Sequence, residues 1–239
     1  ALKTQYWPWG NNGIGMQNPY WIINRDNFVN HKNRFMINGS VNYDIAKGIS
    51  IGARAKMDYT SAMYEKMYGA STDAIFCQEM GGYYKGDATT RQLYGDIMLN
   101  IDRYFGDFSL TATVGTSIQD LNYKYFDIGG SLNSVANSFT ILNLKQSAIK
   151  LQNEAYHDQT QSVFATAQLG WQSKVYLDLT GRIDWASALA WTQDDYVAYP
   201  SVGLSAILTD LLSIKSKVLS FLKIRGSYSE VGNAPTRYI

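Results

Sequence analysis

The chain has 239 residues, with 21 Lys and Arg against 20 Asp and Glu, a net charge of +1. So balanced a charge gives no field for steering nucleic acid or an acidic partner. One cysteine, Cys77, and two distant histidines, His31 and His157, offer neither an internal disulfide nor metal-ligand spacing, so no metal or other cofactor is expected. Charged residues make up 17% and aromatics 14%, with 18 Tyr and 20 Gly. That bias is shared by all-β proteins and by outer-membrane barrels, whose lumen is polar and whose rims are aromatic.

No apolar run reaches the roughly 18 residues of a transmembrane helix, a test that leaves a barrel open. Ala1-Leu2-Lys3-Thr4 lacks the charged and apolar regions of a signal peptide. The first 30 residues, rich in Gly and Trp, read as a loop. From Phe35 the chain alternates strictly. Phe35, Ile37, Gly39, Val41 and Tyr43 form one face, and Arg34, Met36, Asn38, Ser40 and Asn42 the other. After a turn at 44–48, Ile49, Ile51, Ala53, Ala55, Met57 and Tyr59 alternate with Ser50, Gly52, Arg54, Lys56 and Asp58. Two strands of about ten residues with a short turn make a hairpin, one face apolar and the other charged.

Residues 60–90 then lose the period. A second hairpin sets Leu93, Gly95, Ile97, Leu99 and Ile101 before Gly106-Asp107, with Phe108, Leu110, Ala112, Val114 and Ile118 after it. Arg103 falls on its apolar face near the turn, where it must snorkel to an interface. Residues 119–159 are again without period. A third hairpin pairs Val163, Ala165, Ala167, Leu169 and Trp171 with Val175, Leu177, Leu179, Ile183 and Trp185 across 172–174. A last pair, 198–208 and 221–231, follows a loop at 186–196. Its connection, Ile207 to Ile224, carries Leu208, Leu211, Leu212, Leu219 and Leu222 and fits either a short helix or an elongated β-turn.

About eight strands therefore alternate between short turns and long loops. Compact soluble domains rarely hold two loops of roughly 30 to 40 residues, whereas outer-membrane barrels combine short periplasmic turns with long extracellular loops. Tyr43, Phe108 and Trp171 beside the short turns, with Tyr59 and Trp185 at the opposite strand ends, read as a two-sided girdle at the lipid headgroups. A soluble β-sandwich burying the same faces is the competing fold. A membrane-spanning sheet has to close on itself, and neither terminal segment reads as a seam, so further strands are expected on both sides.

Asn18-Pro19-Tyr20-Trp21, Asn24-Arg25 and Asn33-Arg34-Phe35 resemble the "NPYW…NR…NRF" entry into a barrel strand of SusC/RagA-type TonB-dependent transporters. The segments 176–184, 199–204 and 219–233 resemble that family's "YLLTATLRRDGSS", "YFPSVSLGW" and "LSNLKLRASYGVTGN" blocks, in the same order. Departures are local: Asp184-Trp185-Ala186-Ser187 stands for Asp-Gly-Ser-Ser, and Ser229-Glu230 for Gly-Val. The resemblance implies a transmembrane antiparallel barrel of about 22 strands. Residues 1–239 would supply its middle, without the plug or the first and last strands. It also implies a bacterial outer-membrane location, a SusD-like surface lipoprotein as lid, TonB acting through a plug segment, and an oligosaccharide or peptide as cargo. On residue type, Trp7, Trp9, Tyr20, Trp21, Tyr83, Tyr84 and Trp191 are the candidates for substrate contact, because flat rings stack on sugars and peptide side chains. No catalytic residue is expected. Asp184 with Asp194-Asp195 could be read as a catalytic cluster of a barrel enzyme, but no nucleophile, base and oxyanion arrangement accompanies it. A small adhesive barrel is the other alternative.

Overall fold

A computed structural model describes residues 17–193, 195–214 and 218–232. Its elements run α1 (Pro19–Arg25), β1 (Asn27–Ala46), β2 (Ile49–Tyr68), β3 (Gly82–Phe105), β4 (Phe108–Ser131), β5 (Lys150–Trp171), β6 (Val175–Ala186), β7 (Val197–Ala198), β8 (Ser201–Ile207), α2 (Leu208–Leu211) and β9 (Lys223–Ser229). Sheet order follows chain order, β1-β2-β3-β4-β5-β6-β8-β9, with β7 beside β6. Along this path β1 and β9 are the edges. No helix among the described residues is long and apolar enough to cross a membrane.

The three short turns fall where alternation placed them. Gly48 (φ +70°) and Gly106 (φ +59°) supply the left-handed residues of the first two. The third has none to spare. Gln172 and Ser173 take φ of 49° and 56°, and Lys174 N–H donates to the Trp171 carbonyl at 2.9 Å, a type I′ turn whose twist suits a hairpin.

Register then joins like with like. Between β5 and β6, Val163 faces Ile183, Leu169 faces Leu177 and Trp171 faces Val175, while Ser162 faces Asp184, Phe164 faces Arg182 and Gln168 faces Asp178. Between β6 and β8 the same holds for Leu177–Leu204 and Leu179–Val202. A one-residue slip would move every apolar side chain to the polar face.

The long loops are shorter than the alternation implied, because the strands outrun it. The aperiodic stretch 60–90 becomes strand except for 69–81, and 119–159 becomes strand except for 132–149. These extensions carry polar and aromatic residues on both faces, so hydrophobic contrast vanishes while the backbone ladder continues. The opening segment is likewise no simple loop, since α1 and the start of β1 lie within it. The predicted strand 198–208 is broken at Tyr199-Pro200, where proline has no N–H to donate. The strand predicted at 221–231 is β9, and the open question at Ile207 to Ile224 resolves into the four-residue α2, whose Leu208 N–H donates to the Leu222 carbonyl at 2.8 Å.

The chain divides into two compact units: residues 1–35, 58–91 and 122–157, and residues 36–57, 92–121 and 158–239. The first contains loops 69–81 and 132–149, and the second contains the short turns. Burial separates them chemically. In the first unit the buried hydrophobics include Trp21, Cys77, Tyr83, Leu132 and Leu144. In the second, the buried side chains among the described residues are Asp96, Ser117, Ser162, Ser205 and Thr209. Its apolar residues point outward: Ile37, Val41, Ile97, Val114, Val163 and Leu204 are all exposed. With polar side chains buried and apolar faces open, the pattern differs from a soluble core and does not fit the sandwich reading, in which those same faces would be packed away.

Candidate substrate-contact surface

The second unit presents a wall. On its polar face the Arg54 guanidinium grips Asp96 through Nε and Nη2 at 2.8 to 3.0 Å. Arg182 bonds both Asp184 (2.6 Å) and the Ser162 hydroxyl (2.9 Å), and Gln168 bonds Asp178 (2.6 Å). Charges on this face are thus satisfied by neighbours on the same strand or the adjacent one. Asp184, once a member of the alternative catalytic cluster, is held by an arginine, and Asp194 lies outside the described residues.

The first unit gathers the loops. Asn18 caps α1, its side-chain oxygen accepting from Tyr20 N–H at 2.9 Å with Pro19 in the first turn. This sets neighbouring residues to opposite fates: Tyr20 is exposed and Trp21 is buried. Trp21 Nε1 donates to Thr72 Oγ1 at 2.9 Å, and Thr72 Oγ1 and Gly69 N–H both donate to Asp26 Oδ1, at 3.0 and 2.9 Å. Loop 69–81 is tied in turn to loop 132–149. Ala70 N–H donates to Asn137 Oδ1 at 2.7 Å, Leu132 N–H to the Gly81 carbonyl at 2.8 Å, and Lys145 Nζ to Gln78 Oε1 at 3.1 Å. Beneath these bonds Tyr83, Leu132 and Leu144 form a small core with Met67, Met80 and Phe139 packed against it.

Cys77 lies buried in loop 69–81, where burial, aided by the carboxylates of Asp26 and Asp73, pushes its thiol up to about 12. A cavity of about 910 Å³ opens beside it, lined by Thr72, Gln78, Leu132 and Lys145 among others.

The sequence-predicted contact residues are dispersed by this arrangement. Tyr20 and Trp191 are exposed, Trp191 with φ of 71° in the left-handed region. Trp21 and Tyr83 are loop core; the Tyr83 hydroxyl donates to Glu65 Oε1 at 3.1 Å. Tyr84 is half-buried, its ring edge-on to Tyr68 at 6.0 Å. Trp7 and Trp9 lie outside the described residues.

Four tyrosines that residue-by-residue reading passed over come together instead. Tyr64 on β2 reaches across β3 to bring its hydroxyl within 3.5 Å of the Tyr125 hydroxyl on β4. It can do so because β3 has Gly86 at the crossing, where a Cβ would stand 2.8 Å from Tyr64 Cζ. Tyr125 lies parallel to Tyr123 at 6.5 Å, and Tyr123 meets Tyr156 on β5 at 4.7 Å. The signal that marks them is the alternation Tyr123-Lys124-Tyr125 in a segment that otherwise lacks period.

An outward apolar face, a polar inner row and laced loops on one run of antiparallel strands match one family over nearly the whole chain. Residues 2–238 match the family described as TonB dependent receptor-like, beta-barrel. The chain belongs to that family. No curated protein matches the receptor barrel's sequence. Among solved structures, the RagAB peptide importer in its "closed-closed" state is similar with a TM-score of 0.74 and 16% identity over 90% of this chain. The same importer in its "open-open" state gives 0.73 and 17% over 90%, and a further structure of the RagAB peptide transporter gives 0.72 and 18% over 88%. The SusC/RagA resemblance is thus met in the fold. This chain spans 23–24% of the length of those chains, so it corresponds to about a quarter of each.

Proposed function

We propose that the intact protein to which this barrel segment belongs imports an oligomeric nutrient, a glycan or a peptide, across the outer membrane of a Gram-negative bacterium in a TonB-dependent manner. The observation that carries the reading is the inverted burial of the second unit, joined to the family match: an apolar outer face suited to lipid and a hydrogen-bonded polar inner face suited to a water-filled lumen. Residues 1–239 act as part of the barrel wall, with a plug and further strands supplied elsewhere in the protein. A SusD-like lipoprotein covers the outer mouth, a reading supported by the fold shared with the RagAB importer. Exposed aromatics such as Tyr20 and Trp191 serve as first contacts for cargo, and Trp21, Tyr83 and Tyr84 help hold loops 69–81 and 132–149 in place. No covalent step is needed.

The test is uptake in the native host. Deleting the gene should abolish growth on an oligomeric nutrient, and deleting tonB should give the same defect. Pull-down of the intact protein should retain a lipid-anchored partner. Uptake that persists without TonB would sink the proposal.

A further inference from the structure

We infer that the outward wall of the second unit holds one acyl chain of an outer-leaflet glycolipid, in a groove floored by Gly39, Ala53, Ala55 and Gly95. The inference rests on the membrane barrel and is independent of the import reading. The groove has a volume of about 790 Å³, and every residue lining it belongs to the second unit. Its floor residues come from the apolar alternation of β1, β2 and β3, and Val41, Ile97 and Ile118 stand around them. Where the rest of the wall presents bulk, the floor presents backbone. A Cβ built at Gly39 would meet nothing within 4 Å, and one at Gly95 only ordinary contacts at 3.7 and 3.8 Å. Polarity is confined to the end at β4 and β5. Thr116 turns its hydroxyl onto the Ser162 carbonyl at 2.9 Å. The exposed Gln161 amide gives one N–H to Gln159 Oε1 at 3.3 Å, and such an amide carries a second N–H and an acceptor oxygen.

The place of the groove decides its occupant. Strands that complete the barrel join edge to edge beside β1 and β9, and whatever fills the lumen lies on the other side of the sheet, so neither reaches the outward face between β1 and β5. The groove therefore continues the surface that the membrane covers. A second barrel is convex on this same side and would meet it along a line, leaving the floor unfilled. A chain of methylenes is thin enough to lie on glycine backbone, and the volume is that of a small-ligand cleft. Depth sets the leaflet. Gln161 is ten residues from Trp171 at the short turn, a climb of about 25 Å at roughly 3.3 Å per residue and a tilt of about 40°, the height of the apolar band. Gly39 is four residues from Tyr43 at its own short turn. The groove thus slopes from the headgroup boundary, on the long-loop side that is extracellular in such barrels, down toward the middle of the bilayer. One outer-leaflet acyl chain follows that path, and the outer leaflet of a bacterial outer membrane is glycolipid. Gln161 donates to the carbonyl of the chain's ester or amide linkage. Because lipid tails are as apolar as the wall, close packing and this hydrogen bond supply the hold.

The experiment takes the full-length protein, stripped of lipid in mild detergent, and offers it either lipid A-type glycolipid from the host or phosphatidylethanolamine. Native mass spectrometry counts the lipid retained. One glycolipid per barrel should stay bound at concentrations where phosphatidylethanolamine is lost. G39L/A55L fills the floor and should cut glycolipid retention at least ten-fold, and Q161A should cut it a few-fold. G181L adds the same bulk to the outward face of β6, where a new Cβ likewise meets nothing within 4 Å, and should keep the lipid. Heat-modifiable migration reports a folded barrel for each variant, and the single variant G39L takes the place of a double that misfolds. Glycolipid retention unchanged in the filled variants, preference for phosphatidylethanolamine, or a dimer of the protein that dissociates in G39L/A55L overturns the inference. Uptake does not enter the readout, so failure of TonB-dependent import would leave this result untouched.

Discussion

Ser173 sits in the left-handed region at the second central position of the turn between β5 and β6, where glycine is the usual occupant. Left-handed backbone costs an L-residue about 1–2 kcal/mol, and glycine's extra chain entropy gives back part of that gain. Ser173→Gly should therefore stabilise the full-length barrel by about 0.5–1 kcal/mol, read as an upward shift of the urea midpoint in lipid vesicles. Gln172 is best left alone, because its side chain donates to Asp107 Oδ2 at 3.0 Å. Cys77 gives a pH-dependent signature. With its thiol pushed up to about 12, maleimide labelling of the folded protein at pH 8 should be far slower than that of the unfolded chain, since thiolate is the reacting form. The sign for stability follows. A raised folded value favours the folded state fully below the free-thiol range near about 8.5, and that contribution is lost as pH climbs toward 12. Rapid labelling at pH 8 without unfolding would refute the burial on which this rests.

α1 is joined to loop 69–81 by the Trp21 indole, Thr72 and Asp26. Trp21→Phe keeps an aromatic ring but removes the indole donor and part of the buried volume, which should loosen this join by about 1–3 kcal/mol, visible as faster hydrogen exchange at 69–81 with the strands unaffected. Strands are joined in another way, by rings lying over glycines of the next strand. At Gly129 an added Cβ would stand 2.7 Å from Tyr84 Cα, so Gly129→Val should cost about 1–3 kcal/mol by overpacking, whereas Gly181→Val, with nothing within 4 Å of the new Cβ, should cost little. Thermal migration shifts on gels would separate them. The hairpins were legible in the sequence because Val163 to Trp171 and Val175 to Trp185 alternate against polar partners. Strand segments 60–68 and 119–131 were not, because each face mixes polar and apolar side chains: Tyr64 and Lys66 share one side of β2, Glu65 and Met67 the other. Their strand state is imposed by the neighbouring backbone. The tyrosine cluster was hidden for the same reason: its members come from β2, β4 and β5, and only pairing brings them together.

At the scale of the molecule the inverted burial makes a prediction that no soluble sheet shares. Val114 lies on the apolar face of β4, two turns of the alternation beyond Leu110, and is exposed. Val114→Arg should destabilise the barrel in vesicles by about 2–4 kcal/mol, with Phe108→Arg beside the turn costing about 0–1. A sheet whose apolar face met water would register neither position so unequally. The same face bears on how such a protein drifts over time. Side chains in a close-packed interior are held to a shape by their neighbours, but a fluid acyl chain conforms to whatever apolar contour it meets. Leucine, valine, phenylalanine or isoleucine can replace one another there without any compensating change across the fold. Outside the small-residue groove, selection on that face acts on polarity, and it leaves identity free. A chain at 16–18% identity can accordingly share the backbone of the structures it resembles.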